Sequence, residues 1–197
     1  MKILVIGASG HIGEVVADTL SSRGHEVLRA SRTGEWPVDV TEAESVRALF
    51  AATGTVDAVI VAAGKVPFKH VTELDRDDYL AAFVSKALPQ LALVGAALDH
   101  VSDGGSITLT TGVLSRAPIA TGAAGAAANG AVESFVITAA AEAPRGIRIN
   151  AVSPDVLENS PASHALFTGH RPVTDEEVGR AYTLAVEGIG SGQVLKV

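Results

Sequence analysis

The chain has 197 residues and a formal net charge of −7 at pH 7; 47% of its residues are hydrophobic, 4% are aromatic and none is cysteine. That length suits one domain, residues 1–197, with a core of Val, Ile, Leu and Ala, and the missing cysteines exclude disulfides, thiolate catalysis and Cys-ligated zinc. The acidic balance, without any run of Lys or Arg, excludes a nucleic-acid surface.

An apolar run at residues 3–6 opens the chain and reads as a buried strand. Because strand-like residues begin at position 2, no signal peptide is expected. The longer apolar stretches carry Gly, Pro or Ser and are expected to be too short for a bilayer, so a soluble, cytoplasmic protein without membrane contact is the expectation. Glycines at Gly7, Gly10 and Gly13 follow, then the one-sided apolar spacing of a helix over residues 11–23. A strand at 26–30 leads, with only Thr33, Gly34 and Glu35 after Arg32, to a short strand at 36–40. A parallel crossover normally takes about a dozen residues or more, so either a helix is missing here or residues 33–41 loop over the sheet edge. Helix 42–53, strand 58–62 and a long helix over 75–100 come next; Pro89, with no N–H and a bulky ring, is expected to bend or break the last. Strand 106–111, helix 123–143 closed by Pro144 and Gly146, strand 147–152, helix 175–188 and strand 193–197 complete the chain. Continuous apolar strands between helices imply an α/β fold: one parallel, doubly wound sheet covered by helices on both faces.

The first strand, the glycine turn and the helix start together form an anion site. Glycines let the backbone approach a phosphate, and the free N–H groups and dipole of the helix point at it. The spacing is Gly7-x-x-Gly10-x-x-Gly13, not Gly-x-Gly-x-x-Gly, with Ser9, His11 and Ile12 in the same loop. A tight βα turn without a ligand is the alternative.

Further patterns follow in one order: Ala30-Ser31-Arg32, Asp39-Val40, Ala62-Ala63-Gly64, the run Gly105-Ser106-Ile107-Thr108-Leu109-Thr110-Thr111-Gly112, and Gly146-Ile147-Arg148-Ile149-Asn150-Ala151-Val152-Ser153-Pro154. With the glycine loop they make the chain resemble the short-chain dehydrogenase/reductase family over essentially its whole length. The resemblance implies a Rossmann-type sheet of about six or seven strands, a nicotinamide cofactor and a small-molecule substrate. It also implies a homodimer or homotetramer, to which the Ala- and Gly-rich residues 120–131 would contribute close helix packing. An NAD site wants a carboxylate at the end of the second strand for the ribose 2′-hydroxyl. Here Ser31 and Arg32 stand there without an acid; a hydroxyl and a guanidinium fork suit a 2′-phosphate, which favours NADP(H) over NAD(H). By resemblance, Asp39 and Val40 sit near the adenine and Ala62, Ala63 and Gly64 beside the adenosine ribose. Pro154 and Asn159 complete the cofactor set, Asn159 toward the nicotinamide half.

The family's catalysis rests on a tyrosine and a lysine four residues later, on the helix after the fifth strand. Here those positions hold Gly125 and Asn129, and no Tyr-x-x-x-Lys exists anywhere. The family's serine falls at Thr110, Thr111 or Gly112, and its usual asparagine near Ser85. Candidate substitutes are Thr110 or Thr111 as hydrogen-bond donors to a substrate carbonyl and Asn129 for the ribose hydroxyls. Lys86, beside Ser85, would serve as an acid if burial lowered its pKa, a solvated lysine being the alternative. Arg116 is a candidate contact for an acidic substrate. His164 and His170 lie in the segment 158–174 where the family places its lid, and without metal-ligand spacing no metal is expected. Three functions remain open: an NADP(H)-dependent oxidoreductase of a small carbonyl or alcohol with a non-standard site, an NADP-binding sensor or pseudoenzyme, or a non-redox isomerase or lyase.

Overall fold

The computed structural model describes residues 1–197. Strand β1 (Lys2–Ile6) is buried from Ile3 to Ile6. Its period of two sends Leu4 and Ile6 into one core and Ile3 and Val5 into the other, as a strand covered on both faces requires. The remaining strands are β2 (Glu26–Ser31), β3 (Trp36–Pro37), β4 (Val56–Val61), β5 (Val101–Thr110), β6 (Arg148–Ser153) and β7 (Val194–Lys196). All pair in parallel, in the order β3-β2-β1-β4-β5-β6-β7. The helices are α1 (His11–Ser22), α2 (Ala43–Thr53), α3 (Arg76–Ala82), α4 (Leu88–Leu98), α5 (Ala123–Glu142), α6 (Pro161–His164) and α7 (Asp175–Glu187). Helices α1 and α7 cover the Ile3 face, while α2, α4 and α5 cover the Leu4 face. This is the doubly wound α/β sheet that the alternation of apolar segments predicts.

The abbreviated crossover resolves as a missing helix. Only residues 32–35 separate β2 from β3, and β3 shrinks to two residues paired with Ala30 and Ser31. The expected strand at 36–40 therefore stops at Pro37, and the face of β2 carrying Val27 and Arg29 has no helix of its own over its outer edge. A hollow of about 400 Å³ lies there, lined in part by Val27, Arg29 and Trp36. Arg29 reaches across to Asp18 on α1 at 2.7 Å.

Pro89 neither breaks nor sharply ends its helix. A π turn over Phe83–Ala87 joins α3 to α4. The ring of Pro89 would collide with the carbonyl one α-turn back, and its missing N–H forfeits that bond; the wider turn absorbs both defects. Residues Arg76–Leu98 therefore form a continuous helical run of 23 residues containing an 18-residue window of mean hydropathy 1.5, long and apolar enough to cross a bilayer by those measures alone. The expectation that no apolar stretch reaches such a length is thus corrected, although Leu93, Val94 and Ala97 of this run lie in the core. Two short elements escape the sequence pattern: a 3-10 turn at Val113–Ser115 and α6.

The buried face of β5 beneath α7 carries polar side chains. Thr110 is satisfied by the Tyr182 hydroxyl, whereas Thr108 is fully buried and its Oγ1 has no partner. An unpaired buried hydroxyl costs roughly 1–3 kcal/mol, and valine has nearly the same shape. Thr108→Val is accordingly expected to raise the unfolding free energy by about 1 kcal/mol in urea denaturation; a loss of stability would show that the hydroxyl is satisfied.

Candidate active site

The sheet order reverses between β1 and β4, because β2 leaves β1 in one direction and β4 takes the other side. A crevice opens at the carboxyl ends of the strands at such a point. Gly7 ends β1 with φ +88°, and a Cβ on it would lie 2.5 Å from the Ala62 carbonyl oxygen. A Cβ on Gly13 would lie 2.2 Å from the Gly7 carbonyl oxygen, so α1 rests directly on the turn. Gly10 is different: a Cβ there would meet only Gly7 O, at 3.4 Å. Gly10 also N-caps α1 with no side-chain cap, which leaves first-turn N–H groups for a ligand. The backbone thus builds an anion cradle that fits a dinucleotide pyrophosphate.

A cleft of about 400 Å³ continues from this cradle across the strand ends. Gly7, Ser9, Gly10, Ser31, Arg32, Asp39, Val40, Ala62, Ala63, Gly64 and Ser85 all line it. The Thr41 hydroxyl and N–H donate to the Asp39 carboxylate at 2.6 and 2.9 Å, holding that carboxyl below its usual range. The other predicted cofactor residues are not among those lining the cleft. Gly13 is buried beneath Gly7, and Ile12 packs on the α1–α7 core. His11 Nε2 pairs with Asp175 Oδ1 at 2.8 Å, and Asn159 Nδ2 donates to Asp175 Oδ2 at 2.7 Å. The Pro154 carbonyl accepts from the Val113 N–H at 2.9 Å.

The catalytic candidates separate more sharply. Thr110 is corrected: its hydroxyl meets Tyr182 in the α7 core, and Gln90 brackets its backbone at 2.9 Å on both the N–H and the carbonyl. Burial pushes the Tyr182 phenol upward, and the ring lies wholly inside the α7 core, away from the cleft. Thr111, one residue on, points to the opposite face and donates to Glu133 Oε1 at 2.8 Å. Ser85 donates to the carbonyls of Lys65 and Ala81, both at 2.6 Å. Asn129 Nδ2 donates to Gly112 O at 3.1 Å, and its buried Oδ1 has no partner. Lys86 is no solvated lysine: its Nζ donates to Thr111 O at 3.3 Å, and burial lowers its pKa to about 8, opposed by the Glu133 carboxylate. The two histidines are tied to the segment just after β6, His164 to Leu157 O at 2.9 Å and His170 to Asp155 at 2.8 Å.

Sequence reasoning missed Glu133. Its Oε1 accepts hydroxyls from Thr111 of β5, Ser115 of the 3-10 turn at 2.7 Å and Ser153 of β6 at 3.0 Å. Arg116 is turned onto the same Ser153, with Nη2 at 2.9 Å from its carbonyl, so it is committed to the protein and not to the cleft. The available signal was position: Glu133 stands one helical turn past Asn129, on the same face of α5.

Over residues 7–183 the sequence matches the family described as enoyl-(acyl carrier protein) reductase. The chain belongs to the short-chain dehydrogenase/reductase family. An uncharacterized oxidoreductase of Methylorubrum extorquens is 29% identical over 175 residues, 77% of this chain and 71% of that protein. A hydroxynaphthalene reductase-like protein of Metarhizium brunneum is 30% identical over 176 residues, 77% and 66% of the two chains. This chain therefore spans roughly two thirds of the length of such relatives. Among solved structures, the Listeria innocua protein lin1944 is 42% identical, covering 100% of this chain and 99% of its own, with a TM-score of 0.96. A small-chain dehydrogenase crystallised with NADPH is 30% identical, covering 100% and 96%, with a TM-score of 0.88.

Membership sharpens the meaning of the glycines on α5. The position that resembles the tyrosine of the short-chain dehydrogenase/reductase family, Gly125, is closely packed: a Cβ would lie 2.9 Å from Leu114 Cδ1 and 3.1 Å from Val66 Cγ2, so both side chains would have to move for a larger residue. Glu133→Ala removes the acceptor of three hydroxyls and is expected to destabilise the fold by about 2–4 kcal/mol. Thermal and urea unfolding of the variant measure this, and unchanged stability would mean that the cluster is solvated.

Proposed function

We propose that the protein is an NADP(H)-dependent oxidoreductase acting on a small carbonyl or alcohol substrate without the tyrosine and lysine of its family. The observation that carries this reading is the cradle at Gly7, Gly10 and Gly13, closed to side chains where α1 meets β1 and open at the helix start. Ser31 and Arg32 line the continuing cleft, and a hydroxyl beside a guanidinium suits a 2′-phosphate better than a bare ribose hydroxyl. The NADPH-bound relative supports the same choice. When bound, a nicotinamide cofactor supplies the two electrons and the hydrogen of a hydride transfer; the chain's part is to hold it, shape the substrate chamber and move the proton. Relatives named as oxidoreductases and reductases support a redox role over isomerase or lyase chemistry.

A second reading, a cofactor-binding sensor, is favoured by one observation: Leu114 and Val66 fill the space at Gly125. Oxidation of NADPH against a panel of aldehydes, ketones and quinones separates the two. Turnover with any of them supports the enzyme; tight NADPH binding with no turnover across the panel supports the sensor.

The cofactor choice has its own test in isothermal calorimetry. Wild type is expected to bind NADPH more tightly than NADH, and Arg32→Ala to lose about 10-fold or more for NADPH with little change for NADH. Equal binding of the two nucleotides by wild type would remove the NADP assignment.

A homodimer or homotetramer belongs to this reading. Leu80, Val84 and Leu88 form an exposed apolar row along the helical run, and Ile137 is 60% exposed on α5. Leu88→Glu is expected to shift the protein toward monomer in analytical ultracentrifugation, and an unchanged distribution would exclude this face.

A further inference from the structure

Resting on the cofactor reading above, we propose that Lys86 is the proton donor of this site, delivered from the π turn between α3 and α4 to the gap between the ends of β4 and β5.

The placement is geometric. In a regular helix Lys86 would be rotated about 100° from Ser85, which lines the cleft. Both residues lie in the π turn, where each residue sweeps a smaller arc, and Lys86 is packed at the strand ends. Its stem lies against Gly64: a Cβ on that glycine would come within 2.7 Å of Lys86 Cγ. Gly64 itself lines the cofactor cleft. The ammonium then spans to β5, donating to Thr111 O at 3.3 Å. That bond uses one of its three N–H donors and leaves two for a ligand.

The polar groups around the end of β5 are committed elsewhere or do not titrate. The Thr111 hydroxyl is committed to Glu133, the Asn129 amide does not titrate, and Tyr182 lies under the opposite face of the sheet. Among charged neighbours, Glu133 from α5 is the one whose field reaches Lys86. Lys65 also lines the cleft but stands exposed on the segment after β4, without the burial that would lower an ammonium's pKa, and Arg116 is held on Ser153. Burial lowers Lys86 to about 8 while Glu133 resists the fall. An acid with that value is mostly protonated at neutral pH yet gives up its proton readily, the compromise that general acid catalysis favours.

In reduction, the carbonyl carbon receives hydride from the reduced nicotinamide cofactor, and the carbonyl oxygen takes the Lys86 proton. The products are an alcohol, an oxidised cofactor and a neutral amine, which regains its proton from water. Reduction therefore needs protonated Lys86 and slows as pH rises through about 8, whereas alcohol oxidation needs the neutral amine and slows as pH falls through it.

The test uses the full chain and a readout that does not depend on turnover. Lysines are dimethylated with ¹³C-formaldehyde, and the Lys86 signal, identified by its loss in Lys86→Arg, is titrated by NMR alone and with NADPH, NADP⁺ or 2′,5′-ADP. NADP⁺ carries a cationic ring that NADPH lacks, so the Lys86 midpoint is expected to fall with NADP⁺ relative to NADPH. It should not move with 2′,5′-ADP, which has no nicotinamide. Identical titrations in every state, with calorimetric binding intact, would overturn the role of Lys86 and leave the cofactor reading standing. Failure of all three nucleotides to bind would overturn both. In turnover with 9,10-phenanthrenequinone, Lys86→Met and Lys86→Arg are both expected to lose about 100-fold while NADPH affinity is kept. The arginine retains a charge but cannot release its proton. Rescue by arginine would reassign Lys86 to electrostatics alone and overturn proton donation.

Discussion

The contact between Gly7 and Gly13 governs the ligand-facing edge of the molecule. The Gly7 carbonyl occupies the space that a side chain on Gly13 would need, so α1 begins directly above the end of β1. That seat sends the N-terminus of α1 over the point where the sheet reverses direction. It also sets where α7 goes, because α1 and α7 share one buried core. Asp175, in the first turn of α7, then meets His11 at the start of α1 and Asn159 in the segment after β6. A cradle built from backbone cannot be repaired by a larger residue elsewhere, which is why the glycine pattern is the part of the site that sequence alone exposes.

Legibility in the sequence follows burial. Strands apolar on both faces and helices with one apolar stripe announce themselves, and the sheet followed from their alternation. Parity within a strand does not announce itself when both faces are buried. Thr110 and Thr111 are alike in chemistry and adjacent in sequence, yet one serves the α7 core and the other the site. The π turn was equally hidden: Pro89 signalled a defect, but whether the helix would break or widen depended on the core that α4 joins. Lys86 lies within that turn, and its packing against Gly64 and the Thr111 carbonyl was hidden with it. Glu133 was visible as a residue on the face of Asn129, but its hydroxyl partners Ser115 and Ser153 lie 18 and 20 residues away.

The polar centre is organised differently from that of a chain built around tyrosine and lysine on one helix. Here a carboxylate on α5 gathers hydroxyls from β5, β6 and the 3-10 turn, tying the ends of two strands to one helix. Those three hydroxyls supply the partly buried carboxylate oxygen with hydrogen bonds in place of water. The cationic partner comes from the neighbouring helical run on the same face of the sheet, through Lys86, which makes no ion pair with Glu133 and bonds the Thr111 carbonyl instead. Separation keeps the ammonium from being locked to the carboxylate while leaving it within its field. A direct pair would raise the lysine pKa and bind its proton more firmly.

The packing at Gly125 bears on whether the departure from the family pattern is a lesion or a rebuilt site. Deleting a large side chain from a packed chamber leaves a void whose lining loses contacts, and such voids are costly. No void is left here, because Leu114 and Val66 come within about van der Waals reach of the glycine. The residues around the glycine are therefore fitted to its smallness, and a tyrosine placed there would have to displace both.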